Sequence, residues 1–222
     1  MIKVVSVLRR KDGLDVETFQ DYWLNTHGRI AAQMPGLRRY VQSHTLLSGY
    51  RRREPAADGI SELWFDDTDA LRELQGTPAF EATMADHYEF IRSDGHTQIF
   101  TDEHVIKDGL VPVNGVKNIE FVKRQTTLKV EKFQKYWLEV HGPLGAAIEP
   151  VRRYVQSHTR QSAYGNGRSP AFDGMAMTWF DDTDAMRVSA ASGEYRAARN
   201  DEKNFVIEPL DFIITREHVV VS

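Results

Sequence analysis

Residues 22–28 read YWLNTHG and residues 136–142 read YWLEVHG. Each stretch sets a histidine, His27 or His141, four residues after a tryptophan, Trp23 or Trp137. Imidazole is the side chain best suited to moving protons near neutral pH. Six of the eight histidines recur in pairs: His27 with His141, His44 with His158, and His104 with His218; His87 and His96 have no counterpart. The chain has no cysteine, which excludes thiolate nucleophiles, disulfides and Cys-based zinc sites. It also lacks a glycine-rich nucleotide motif, so the chemistry expected is acid–base. Neither HExxH nor a close His/Asp/Glu cluster is present, and His87 and His96 are too far apart in the chain for a local ligand pair. No metal is therefore expected.

The elements that must position these residues follow from periodicity. Residues 2–10, IKVVSVLRR, are apolar on both alternations and read as a strand buried on both faces. Asp15 is a plausible cap for a helix over about 16–34, on which Phe19, Tyr22, Trp23, His27 and Ile30 share one face. His27 thus presses towards the core, where it needs a partner or a cavity. The competing reading is a helix-end imidazole donating to a backbone carbonyl before Gly28. Strands over about 37–47 and at ISELWF follow, and Asp66-Asp67-Thr68-Asp69 offers caps for a helix starting near Ala70. A helical or broken helical stretch towards Phe90 and a strand over about 97–107 close the pattern. On RRYVQSHT, alternation puts Arg38, Tyr40, Gln42 and His44 on one face. That face reads first as a buried hydrogen-bond network and second as the wall of a partly wet cavity. Adjacent Glu and His in the closing strand point to opposite faces, so His104 and His218 read as structural, and Trp64 and Trp179 read as packing.

The whole pattern is written twice. RRYVQSHT at 38–45 returns at 152–159, WFDDTDA at 64–70 returns at 179–185, and Glu103-His104-Val105 returns at Glu217-His218-Val219. Two domains are expected, 1–110 and 116–222, joined by GLVPVNG at 109–115. Each reads β-α-β-β-α-β, the ferredoxin-like unit. The fold class is α+β. Because strands apolar on both faces need cover on the bare side of the sheet, the two units are expected to pair as an intramolecular, pseudo-dimeric α/β barrel. With 222 residues, 41% hydrophobic and 27% charged, the chain can fill such cores. Its formal charge of −4 argues against a nucleic-acid or anionic-membrane partner. No run approaches the ~20 apolar residues of a membrane span. A cytoplasmic protein is expected, and a further homodimer through barrel exteriors is allowed without a direct signal.

FQDYWLNTHG at 19–28, FQKYWLEVHGPL at 133–144, RRYVQSHT in both copies and the terminal EHVI and EHVV resemble the EthD-like family of the dimeric α/β-barrel superfamily. The resemblance covers the whole chain, one family domain per half. The first copy departs from the more family-typical His141-Gly142-Pro143-Leu144, reading His27-Gly28-Arg29, so the two sites need not be equivalent. The superfamily holds cofactor-free cyclases, dehydratases, decarboxylases, lactone isomerases and monooxygenases, with some haem-binding members. The first expectation is a cofactor-independent lyase or isomerase acting on a small hydrophobic or aromatic carbonyl compound. In it His27 and His141 are the acid–base pair, Tyr40, Tyr154, His44 and His158 orient or polarise the substrate, and Trp23 and Trp137 add apolar wall. The alternatives are a monooxygenase, cofactor-free or haem-linked, and a non-catalytic protein that shelters a hydrophobic metabolite.

Overall fold

The structure, a computed structural model, describes residues 1–222. In the first copy β1 (Ile2–Arg10) leads to helix α1, which begins as Val16–Tyr22, passes through a π-helical turn at Trp23–His27 and ends as Gly28–Ala31. Then come β2 (Leu37–Thr45), β3 (Gly59–Phe65), α2 (Thr68–Leu74), α3 (Pro78–Phe90) and β4 (Ile91–Lys107). The second copy repeats the order: β5 (Val116–Val122), α4 (Val130–Tyr136, a π-helical turn Trp137–His141, Gly142–Ala146), β6 (Arg153–Thr159), β7 (Gly174–Phe180), α5 (Thr183–Ala190), α6 (Gly193–Glu202) and β8 (Asp211–Val221). The caps fall where the sequence puts them. Asp15 accepts from Thr18 N, and Asp67 and Asp182 accept from the first backbone amides of α2 and α5. The helical stretch after WFDDTDA is broken in two in each copy. At the break in the first copy Gly76 adopts φ +79°, and Thr77 and Ser192 then cap the second helices.

The strands are antiparallel, with Ile2–Leu8 opposite Phe65–Gly59 and Val116–Val122 opposite Phe180–Gly174. Their hydrogen-bonded order, β1-β3-β2-β8-β5-β7-β6-β4, forms a closed barrel. The chain divides into two compact units that do not end where the repeats end. One is Met1–Phe100 with Glu217–Ser222; the other is Thr101–Arg216. The reason is strand length: β4 runs for 17 residues and β8 for 11, and each passes from one unit into the other. Thr101–Lys107 of β4 therefore pairs with β6 of the second unit. No helix is long and apolar enough to cross a membrane.

In the first unit, one face of the sheet packs under α1, with Ile2, Val4, Ala31, Met34, Tyr40, Phe65 and Leu74 clustered there. The other face buries Lys3 against Glu62, Nζ to Oε2 at 2.7 Å, with the Lys3 ammonium over the Trp64 ring. A buried charge requires such a partner.

Candidate functional site

The π-helical turns set the geometry of both sites. Widening the helix by one residue brings the Gly28 amide to the Trp23 carbonyl, five positions back. The same carbonyl accepts a second bond, from Gln42 Nε2 at 2.9 Å, and Gln156 donates likewise to Trp137 at 3.0 Å. The glycine of the His-Gly pair permits this approach, because a Cβ on Gly28 would lie 3.0 Å from Gln42 Nε2. The indoles then lie flat on the strand histidines. Trp23 stacks on His44 at 4.4 Å and 8°, and Trp137 on His158 at 4.4 Å and 2°.

A single hydrogen-bond direction follows. The Gln42 amide nitrogen already donates to Trp23 O and, at 2.8 Å, to the Tyr40 hydroxyl, so Gln42 Oε1 must accept from His44 Nε2 at 2.9 Å. Trp23 Nε1 also donates to the Tyr40 hydroxyl, at 3.2 Å. The Tyr40 oxygen thus takes two N–H groups, with Ser61 as a third side-chain hydrogen-bond partner, and both Tyr40 and Ser61 line the first cavity, where the phenol can donate. Tyr154 accepts from Gln156 at 2.9 Å and lines the second cavity. Burial raises both phenols, Tyr40 to about 12, so they remain protonated donors. Burial drives His44 and His158 down to about 3, aided by His218 and His104 respectively, so both are neutral.

His27 and His141 are oriented by carboxylates that the sequence analysis did not single out. His27 Nδ1 meets Asp86 Oδ2 at 2.7 Å, and Asp86 Oδ1 accepts from Tyr22 at 2.7 Å. In the second copy His141 Nδ1 meets Asp201 Oδ2 at 3.0 Å, and Tyr136 donates to Asp201 at 2.6 Å. The expected alternative, a bond to a backbone carbonyl, is not what holds these rings. Burial lowers the pKa of each imidazole, and the neighbouring aspartate offsets part of that shift. Each is therefore a neutral ring with Nδ1–H given to a carboxylate and Nε2 left for the cavity beside it. Asp86 and Asp201 were detectable as a matched pair, four residues before the matched Phe90 and Phe205. They sit in a segment where most other residues differ between the copies.

Each unit holds one such cavity, partly open to solvent. The first, about 150 Å³, is bounded by His27, Tyr40 and Trp23 together with Leu63, Phe65, Leu74, Phe80 and His87. The second, about 140 Å³, is bounded by His141 and Tyr154 with Ile148, Phe180, Glu120, Arg199 and Glu202. Four of the expected site residues therefore converge pairwise: His27 with Tyr40, and His141 with Tyr154. Trp23 borders the first cavity, but Trp137 is not on the wall of the second. His44 and His158, expected as substrate contacts, line neither cavity; each ring lies stacked on an indole, His44 on Trp23 and His158 on Trp137.

One further pair behaves differently in space than along the chain. His87 and His96, distant in sequence, come together with His27, the ring centroids lying 4.8 Å apart for His27–His87 and 5.1 Å for His87–His96. His27 is buried and the other two rings are half-buried; desolvation lowers His87 to about 3, and no group of His, Cys, Asp or Glu is arranged to hold a metal ion. The two copies differ in sequence over 77–89 and 193–204, and residues of both stretches line the cavities, whereas the loops at 48–57 and 162–172, which also differ, line neither.

The EthD domain family matches the chain twice, over residues 11–94 and 125–208. None of the curated proteins matches it. Among solved structures, an anthrone oxidase-like protein has a TM-score of 0.65 at 11% identity, covering 100% of this chain and 94% of its own. A protein of Fusobacterium nucleatum subsp. nucleatum ATCC 25586, provisionally described as a monooxygenase, has a TM-score of 0.62 at 10% identity, covering 98% and 93%. An EthD-family protein of Bacillus halodurans C-125 is 22% identical with a TM-score of 0.40, covering 47% of this chain and 99% of its own.

Proposed function

The chain belongs to the EthD family, and from that premise we propose that it is an enzyme that removes a proton from a small, largely apolar carbonyl or phenolic compound. The carrying observation is the 2.7 Å bond from His27 Nδ1 to Asp86, which leaves Nε2 as a base at an apolar cavity. Tyr40, its oxygen already bonded by two N–H groups, donates to the oxyanion that forms as the proton leaves. Trp23, Leu63, Phe65 and Phe80 supply the wall for a flat ligand. From the resulting anion, dehydration, decarboxylation, cyclisation or lactone rearrangement needs no further cofactor. Cofactor independence is part of the proposal, and the volume supports it: a cavity of about 150 Å³ admits roughly one benzene-sized ring.

The neighbours described as an anthrone oxidase-like protein and as a monooxygenase favour a second reading. In it the same anion is intercepted by dioxygen. Both readings share the proton abstraction, so one experiment addresses it first. The purified protein is incubated in D₂O with a panel of small aryl ketones and phenols, and deuterium incorporation is followed by NMR. The expected result is catalysed exchange that H27A together with H141A abolishes. Exchange undiminished in the double variant refutes the proposal, as does ligand-dependent stabilisation with no exchange for any panel member. Oxygen uptake alongside exchange selects the second reading.

A further inference from the structure

The two cavities stand at matching positions but present different chemistry. Where the first has Ser6, Val4, Met84 and His87, the second has Glu120, Asn118, Arg199 and Glu202. Arg199 Nη1 donates to Glu202 Oε1 at 2.8 Å and to Glu120 Oε1 at 3.2 Å, so one guanidinium faces two carboxyl groups and can neutralise only one of them when ionised. Glu202 is 3% exposed, yet its Oε2 is buried without a hydrogen-bond partner, and so is Asn118 Oδ1. Buried acceptors are almost always satisfied. Two orphans on residues that border one cavity mark a place where a donor belongs. The rest of that wall is apolar, including Ile148, Val151, Phe180, Met186 and Phe212. Its volume, about 140 Å³, matches one six-membered ring.

We propose that the second cavity binds a small organic ammonium ion, a primary amine carried on about one six-membered ring. The ammonium supplies three donors, enough for Glu202 Oε2 and Asn118 Oδ1, and its charge balances the second carboxylate once Glu202 has given up its proton. The ring takes the apolar wall. The first cavity, with no carboxylate on its wall, does not take this ligand. The proposal does not depend on the proton-transfer reading.

Burial first, and the neighbouring Glu120 second, push Glu202 up to about 8. Around it stand Glu120 from β5, Arg199 and Asp201 on its own helix and Glu208 beyond, while His141, Tyr154 and Tyr195 share the cavity. Of the charged groups only Arg199 favours the ionised form. The free protein therefore holds a proton on Glu202 at pH 7, and the arriving cation displaces it. Affinity rises about tenfold per pH unit up to about pH 8 and then levels.

The test is calorimetric titration of the full chain with benzylammonium chloride between pH 6 and 8.5, with benzyl alcohol and toluene as neutral controls. The expected result is one benzylammonium bound per chain, tighter than either control. At pH 7 close to one proton should be released, read from buffers of different ionisation enthalpy. E202Q should weaken binding at least tenfold and flatten the pH dependence, whereas H87Q, in the first cavity, should leave both unchanged. If E202Q does not fold, E120Q and the parent's own proton release carry the test. Benzyl alcohol binding as tightly as the cation, affinity that falls with rising pH, an unaffected E202Q or no binding at all would each overturn the proposal.

Discussion

Replacing Asp86 by Asn tests the orientation of the proposed base at its source. The carboxylate lies 2.7 Å from His27 Nδ1 and is itself held by the Tyr22 hydroxyl, so it selects the Nδ1–H tautomer. A hydrogen bond to a charged acceptor contributes roughly 1.5–3 kcal/mol, against about 0.5–1.5 kcal/mol for a neutral one. Asn removes the difference, about 1–1.5 kcal/mol, which is roughly a tenfold change in the tautomer equilibrium. The corresponding contact in the second copy is longer, 3.0 Å, so D201N should move His141 by less. Spectra of protein carrying ¹⁵N-labelled histidine, recorded near pH 7.5, distinguish the two ring nitrogens. The parent should show Nδ1–H at both rings, and D86N should shift His27 about tenfold towards Nε2–H while leaving His141 alone. Deuterium exchange at the first site should fall in step, because Nε2 is then occupied by the proton. A parent whose His27 carries its proton on Nε2, or a D86N protein with an unchanged ratio, refutes the reasoning.

Gly59→Ala and Gly174→Ala should each destabilise. The added Cβ would lie 2.4 Å from Trp23 Cζ3 and 2.6 Å from Trp137 Cζ3, inside carbon contact distance, an overpacking cost of about 1–3 kcal/mol. Calorimetry should show a loss of roughly 2–4 °C in Tm per kcal/mol; variants as stable as the parent would contradict the stacked geometry. Lys3→Met removes the cation from the buried Glu62 carboxylate and should cost about 3–5 kcal/mol in urea unfolding, most of it recovered in the double variant K3M/E62M. The second copy already has Met177 at the Glu62 position, and a double variant no better than the single one would argue against the pair. Acid should unfold the protein through its buried imidazoles. His44, His87 and His158 titrate near 3 in the folded chain but near 6.5 when unfolded, so the unfolded state binds the extra protons. Stability is complete above about pH 6.5 and falls as pH drops towards 3, by up to about 4 kcal/mol per pH unit for three such groups. His87→Phe should reduce that slope by about a third, and an unaltered slope would mean that His87 is not held neutral.

Duplicated motifs, strand alternation and capping residues made the architecture legible, because each is a local property of the chain. The spacing of Tyr40, Gln42 and His44 already places all three on one strand face, and the spacing of Trp23 and His27 turns both towards the core. Partners across elements depend on packing, and no periodicity carries them. Asp86 reaches His27 from 59 residues away only because α3 lies against α1. His44 looks like a cavity residue along its strand, yet in the fold it lines neither cavity and lies stacked on the indole of Trp23. Glu120 and Glu202 are unremarkable where they stand in the chain, one in a strand and one near a helix end. Only the fold sets both against a single guanidinium, and burial there changes what a carboxylate is able to bind. The sequence by itself determined the repeat, the elements and the face on which the histidines lie. The tertiary structure decided which imidazoles meet a cavity and what charge each cavity holds, because contact and desolvation arise between segments that the chain keeps far apart.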